Sequence, residues 1–213
     1  MSYSTNIERH PLEPFLPEKV RVLMLGSFPP PRERWCMDFF YPNPQNDMWR
    51  IMGLVFFRDK QHFVEQGAKT AALKEHGTRD KEQSLKAGFK YIEIVDFCKE
   101  KGIAIFDTAQ AVRRLKGNAA DEHLEIVEQT DIAALLQLLP LCHDICCTGG
   151  KAAQTFTETL GVAIPKVGGY IETTFADRQL RFWRMPSSSR AYPLSLDKKA
   201  AAYQHLFSEI GMI

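Results

Sequence analysis

The chain of 213 residues carries 27 Lys and Arg against 26 Asp and Glu, a formal net charge of +1, with 45% hydrophobic and 25% charged residues. That length suits one substantial core and is short for two, and no run approaches the roughly 18 apolar residues that span a membrane. The near-balance of charge excludes strong global attraction to nucleic acid but leaves room for a local basic face.

The opening stretch MSYSTNIERHPLEPFLPEKV is polar and Pro-rich. It has no basic segment followed by an apolar one, so no signal peptide and a cytoplasmic location are expected. Next, KVRVLMLGSFPP reads as a buried strand that ends in a Gly/Pro turn. NDMWRIMGLVFF (46–57) reads as a helix with Asn46 as its N-cap. Residues 59–88, rich in charge and in Ala, Lys and Glu, read as a partly exposed helix. FKYIEIVDFCKEKG (89–102) reads as a helix with Ile92, Val95 and Phe97 near one face, closed by Lys and Gly.

IAIFDT (103–108) is the second strand candidate and DICCTGG (144–150) the third. DIAALLQLLPLC between them is helical and capped by Asp131, and GKAAQTFTETLG after them is a further helix. ETTFADRQLRFWRMPSSS suggests a hairpin around Ala176, Asp177 and Arg178. SLDKKAAAYQHLFSEIG (195–211) is an amphipathic helix with Ser195 at its N-cap. Strands alternating with helices predict an α/β fold, a three-layer sandwich with a mostly parallel central sheet flanked by helices. A single domain over residues 1–213 is expected, with 58–90 a candidate helical insertion.

The cysteines are Cys36, Cys98, Cys142, Cys146 and Cys147. Their odd number and the absence of C-x-x-C spacing argue for neither a disulfide framework nor a zinc or iron–sulfur site. Cys146 and Cys147 read as reduced core residues.

In parallel α/β sheets the ligand crevice lies beyond the carboxyl ends of the strands. Those ends here are GSFPP, DTAQ, TGGK and PSSS. In GSFPP, Gly26 permits a tight turn and the prolines forbid a helix, so N–H groups near Ser27 and Phe28 can face a carbonyl or a developing anion. A plain strand exit explains the same residues, and no Walker A motif is present. Phe39, Phe40 and Tyr41 are consecutive and cannot all enter one core from an extended segment, so at least one is free to stack on a nucleobase. Anchoring of the loop to the core is the alternative. Asp107 can accept a base N–H or cap the following helix. TGGK places backbone donors and Lys151 at a helix N-terminus, an anion site in principle. None of the six histidines, His10, His62, His76, His123, His143 and His205, falls at a strand-end motif.

Taken together, residues 25–49 resemble the first motif region of the uracil-DNA glycosylase superfamily. There a strand leads into Gly-x-Asn-Pro or Gly-x-Asp-Pro, then an aromatic loop, then a Pro-x-Asn-x-Phe-Trp-like helix start. The corresponding residues are Gly26-Ser27-Phe28-Pro29, Phe40-Tyr41-Pro42 and Pro44-Gln45-Asn46-Asp47-Met48-Trp49. GIAIFDTAQAV is similar to the strand whose end carries the base-reading residue. MPSSSRAYPLS is similar to the second motif, which grips the flipped nucleotide. The Gly-Ser-Phe-Pro form is most similar to the hypoxanthine-DNA glycosylase branch. Two departures stand out: Phe28 replaces the Asp or Asn that positions water in many relatives, and Met185 replaces a His or Asn.

The resemblance implies a monofunctional DNA glycosylase that hydrolyses the N-glycosidic bond of a flipped-out deaminated base, hypoxanthine, xanthine or uracil. Its partner is DNA containing a damaged base, it needs no metal or cofactor, and a monomer is expected. The implied catalytic residues are Asn46 and Ser187. Gly26, Ser27, Phe28, Phe40, Tyr41 and Asp107 would bind the base. Lys151, Ser187, Ser188, Ser189, Arg190, Tyr192 and Leu194 would contact DNA, with Tyr192 or Leu194 entering the vacated stack. Two other readings stand beside it: a non-catalytic nucleic-acid-binding member of the same fold, and a small-molecule α/β hydrolase or nucleotide-binding domain. For a serine hydrolase, a His and an acid at hand are wanted.

Overall fold

The computed structural model describes residues 6–65, 88–115 and 123–213. Its elements, in chain order, begin with β1 (Ile7–Arg9), β2 (Val22–Gly26), α1 (Met48–Phe57), β3 (Val64–Glu65), β4 (Gly88–Phe89) and α2 (Tyr91–Lys101). They continue with β5 (Ile103–Asp107), β6 (Ala109–Arg114), β7 (Leu124–Gln129), α3 (Ile132–Gln137), β8 (Asp144–Thr148) and α4 (Gly150–Leu160). A hairpin of β9 (Gly169–Phe175) and β10 (Arg178–Met185) leads to α5 (Leu196–Glu209).

The central sheet has the strand order β5-β2-β8-β10-β9. It is mixed: β5–β2, β2–β8 and β8–β10 pair parallel, while β9 runs antiparallel to β10. The antiparallel edge follows from local turn chemistry, because Ala176 and Asp177 both hold positive φ, 50° and 57°, the geometry that reverses a strand in two residues. Every residue of β2, β5 and β8 is buried, as expected of strands covered on both faces. Helix α2 packs on β5, α4 on β8 and α5 on β10, with α1 against α5. Cys146 and Cys147 lie within β8, and burial pushes both thiols up.

A second, antiparallel sheet of order β1-β6-β7 stands beside the first. The sequence pattern did not disclose it: β1 is a mostly exposed three-residue strand, β7 is mostly exposed, and only Thr108 separates β6 from β5. Within α2 the buried residues are Ile94, Phe97 and Cys98, at the i, i+3, i+4 spacing of a helical face, whereas Ile92, expected near one face with Val95 and Phe97, is 72% exposed. Most of the helix expected over 59–88 lies outside the described residues; its described ends form the short β3–β4 pair, not helix.

Candidate active site

The carboxyl ends of β5, β2, β8 and β10 lie side by side, since these four strands are parallel neighbours in register. At the first of them Asp107 is buried. Its Oδ2 accepts a hydrogen bond of 2.9 Å from Nε2 of His10, whose side chain is fully enclosed. The His10 ring sits among Phe106, Phe28 and Phe40, with centroids 4.5, 5.4 and 6.2 Å away. Its Nδ1 is 2.8 Å from the Leu12 carbonyl oxygen and 3.2 Å from the Leu12 nitrogen. Oδ1 of Asp107 takes no hydrogen bond among the described residues and is not sealed from solvent.

That free oxygen lies against Gly26. A Cβ on residue 26 would collide with it, so the glycine is needed for close approach of the carboxylate, not for a positive φ. The turn after β2 is then fixed from both sides. Gly26 O accepts from Thr108 N at 2.8 Å, and Ser27 O accepts from Ala109 N at 3.3 Å. Arg114, buried beneath the turn, donates to Pro29 O at 2.6 Å and to Glu8, and its guanidinium lies 5.6 Å from the centroid of the Phe28 ring. The Phe28 N–H makes no hydrogen bond among the described residues.

The three consecutive aromatics resolve differently from expectation. Phe39 and Phe40 are buried and Tyr41 packs half-buried on the same core. Tyr41 adopts φ 51°, so the segment is not extended and the three rings need not alternate. Phe40 is enclosed by Phe39, Phe106 and His10, while the partly buried Phe28 packs against His10 and Arg114. Tyr41 bridges the strand ends instead. Its hydroxyl donates to Thr148 Oγ1 at 2.8 Å, and that hydroxyl in turn donates to Leu25 O. Burial, reinforced by the Asp107 charge, pushes the Tyr41 phenol well above its ordinary range and keeps it a neutral donor.

Beyond Thr148, Gly149 (φ 143°) opens α4, with Lys151 half-buried in its first turn. Ser187 faces Gly149, and its Oγ accepts from Ser189 N at 3.2 Å. Met185, at the end of β10, is buried in the core and offers nothing polar to the site. Ser188 is also buried, its carbonyl accepting from Asp47 N at 2.9 Å, so its side chain is withdrawn from the outer surface of the loop.

Asn46 lies beside Ser189, to which it is bridged. Helix α1 starts one residue later than expected: Asp47 is its N-cap residue but makes no side-chain cap bond. Asn46 supplies the bond instead, with Oδ1 accepting from Met48 N at 2.9 Å. This occupies the oxygen and leaves Nδ2 as the free group, without a partner among the described residues. Asp47 joins α1 to the loop after β10, accepting from Arg190 Nε at 3.0 Å and from Lys199 Nζ at 3.2 Å. Lys199, enclosed in α5, also donates to Ser189 O at 2.8 Å.

Outside this clamp opens a cleft of about 500 Å³, lined among others by Arg50, Lys60, Arg190, Lys199, Asp47 and Leu194. Four cations against one carboxylate make it electropositive. Tyr192 and Leu194 are half-exposed and not packed on the main core. Asn46, Asp107 and Phe40 do not line this cleft; of the residues expected at the site from the sequence, Arg190 and Leu194 do.

Four contributors escaped sequence reading. Two of them, His10 and Arg114, come from segments whose strand pairing is hidden in the sequence. Asp47 adjoins the motif asparagine, and nothing in the local sequence marks it as the partner of Arg190 and Lys199. Lys199 did carry a signal: it shares the apolar stripe of α5 with Tyr203, Leu206 and Phe207, where a lysine needs a buried partner.

No family model matches the chain, and no curated protein matches it. Among solved structures, it is similar to the solution NMR structure of a "putative Uracil DNA glycosylase" from Methanosarcina acetivorans, with a TM-score of 0.58 and 20% identity. The match covers 96% of this chain and 99% of that one. At that identity the likeness establishes a shared mixed α/β fold over nearly the whole length of both chains.

Proposed function

We propose that this protein is a DNA glycosylase of the uracil-DNA glycosylase superfamily, acting on a deaminated base extruded from the duplex. The observation that carries the reading is the Asp107 carboxylate at the end of β5, with one oxygen held by His10 and the other unpartnered against Gly26. A carboxylate only accepts hydrogen bonds. Deamination converts the ring nitrogen of cytosine (N3) or adenine (N1) from an acceptor into an N–H donor. An acceptor-only group at the base edge therefore favours uracil over cytosine and hypoxanthine over adenine, rejecting the parent base by leaving two lone pairs face to face.

The remaining roles follow from which atoms are free. Cleavage of the N-glycosidic bond builds positive charge on the sugar and negative charge on the departing base, so donors aimed at the base favour reaction. The Phe28 N–H is such a donor. Asn46 presents Nδ2, which suits holding a substrate oxygen better than taking a proton from water. Ser187, Ser189 and Lys151 offer donors for phosphate, which positions the strand without reading sequence. Arg50, Lys60 and Arg190 line a groove fit for the flanking backbone, and Leu194 stands at its edge as the side chain to enter the gap.

A second reading has its own observation: Phe28, in place of a water-positioning Asp or Asn, is packed between His10 and Arg114. It makes the protein a binder of damaged duplex without chemistry. Single-turnover assays on duplexes holding hypoxanthine, xanthine or uracil decide between them. Release of at least one base supports the glycosylase; binding with no release from any supports the second reading.

A further inference from the structure

We infer that His10 is the positioning residue of the Asp107 carboxylate, turning it into a reader with one acceptor oxygen and thereby setting specificity for a base that carries a ring N–H. The inference rests on the glycosylase reading and deepens it. An imidazole fully enclosed by three phenylalanine rings is an expensive choice for packing alone, since an apolar side chain would fill the space without burying polar nitrogens. What the imidazole adds is a donor at 2.9 Å to Asp107 Oδ2.

The segment around His10 is stapled on both sides. Upstream, Arg9 pairs with Ala111, Glu8 binds Arg114, and the His10 N–H donates to Gln110 O at 2.9 Å. Downstream, Phe15 and Ile105 exchange two backbone hydrogen bonds of 3.0 Å. The ring is therefore a fixed part of the site and not a plug that must leave before a base enters. With Oδ2 held, the carboxylate cannot turn about its last bond, and Oδ1 stays against Gly26. Without His10, the carboxylate is free to turn about its last bond, and Oδ1 is no longer held against Gly26 to meet the base edge.

The test compares wild type, His10→Gln, His10→Phe, Asp107→Asn and the His10→Phe/Asp107→Asn double variant. Two quantities are read: single-turnover release from hypoxanthine and uracil duplexes, and calorimetric affinity for free hypoxanthine and free uracil. Gln keeps a terminal N–H donor, whereas Phe keeps the ring and loses it. Release by His10→Phe is expected to fall by about 10- to 100-fold, the effect of losing a hydrogen bond to a charged group. His10→Gln should recover most of it, and the double variant should be no slower than Asp107→Asn alone. His10→Met, similar in volume and without a donor, serves if His10→Phe does not fold. Equal loss in the Gln and Phe variants, or losses that multiply in the double variant, would overturn the positioning role while leaving the glycosylase reading intact. If wild type binds free base without releasing it from DNA, the same comparison is made on affinities with the same expectations. If it neither binds nor releases any base, the glycosylase reading fails and this inference falls with it.

Discussion

Two buried aspartates, Asp47 and Asp107, stand at the carboxyl-end face of the sheet with nearly equal exposure, 7% and 6%, and opposite chemistry. Asp47 has both oxygens occupied, one by Arg190 and one by Lys199. Asp107 has one oxygen occupied by His10 and one with no partner among the described residues. A carboxylate satisfied on both sides holds structure together: this one ties the start of α1, the loop after β10 and helix α5. A carboxylate with one oxygen open beside Gly26 remains able to accept a hydrogen bond from a ligand, which is the role proposed for Asp107. Burial alone does not separate the two aspartates; the count of partners does.

Breaking the clamp should give the largest effect. Asp47→Ala leaves the enclosed Lys199 ammonium with only the Ser189 carbonyl. A buried cation without its counter-charge is expected to lower stability by about 3–5 kcal/mol, read as a drop in the urea midpoint at constant m-value. Most of that loss belongs to Lys199, since Arg190 is half-exposed and screened by solvent. The reader should respond in the other coordinate. In Asp107→Asn the amide oxygen still accepts from His10, which turns the NH₂ toward the base and replaces an acceptor with a donor. Base release is expected to fall by about a hundredfold, with the urea midpoint almost unmoved. A large midpoint shift and unchanged release would make Asp107 a second clamp.

Smaller effects sharpen the boundary between the two regions. Asn46 caps α1 through Oδ1, and the proposed role of its Nδ2 is to hold substrate, so Asn46→Ala should cost about 1 kcal/mol of stability. Release should slow by roughly tenfold or more, with duplex affinity nearly kept, as for a contact made in the transition state. Leu194→Ala, at the cleft edge and off the core, should change stability by no more than about 0.5 kcal/mol. It should slow release a few-fold from paired duplex while sparing single-stranded substrate. Equal slowing on both substrates would remove Leu194 from duplex opening.

The sequence disclosed the parts of this arrangement that are local. Continuous apolar runs marked β2, β5 and β8, cap residues marked the starts of α3 and α5, and turn chemistry marked the β9–β10 hairpin. Gly26, Asp107 and Ser187 stand out in the sequence because they lie at strand ends, where ligands gather in such sheets, and Asn46 because of the motif resemblance around it. The hidden parts are long-range. His10 lies 97 residues from Asp107 in the chain, and Lys199 lies 152 from Asp47, so no window of sequence contains either pair. The three aromatics misled because a single left-handed residue, Tyr41, cancels the alternation that an extended segment would impose.

The most direct test of the account is single-turnover release by wild type and Asp107→Asn on otherwise identical duplexes carrying hypoxanthine, uracil, adenine or cytosine at one position. Wild type is expected to release hypoxanthine or uracil and to leave adenine and cytosine in place, and Asp107→Asn is expected to lose that release. Wild-type protein that is folded, binds the duplexes and releases none of the bases, or that releases adenine and cytosine as readily as their deaminated forms, would contradict it.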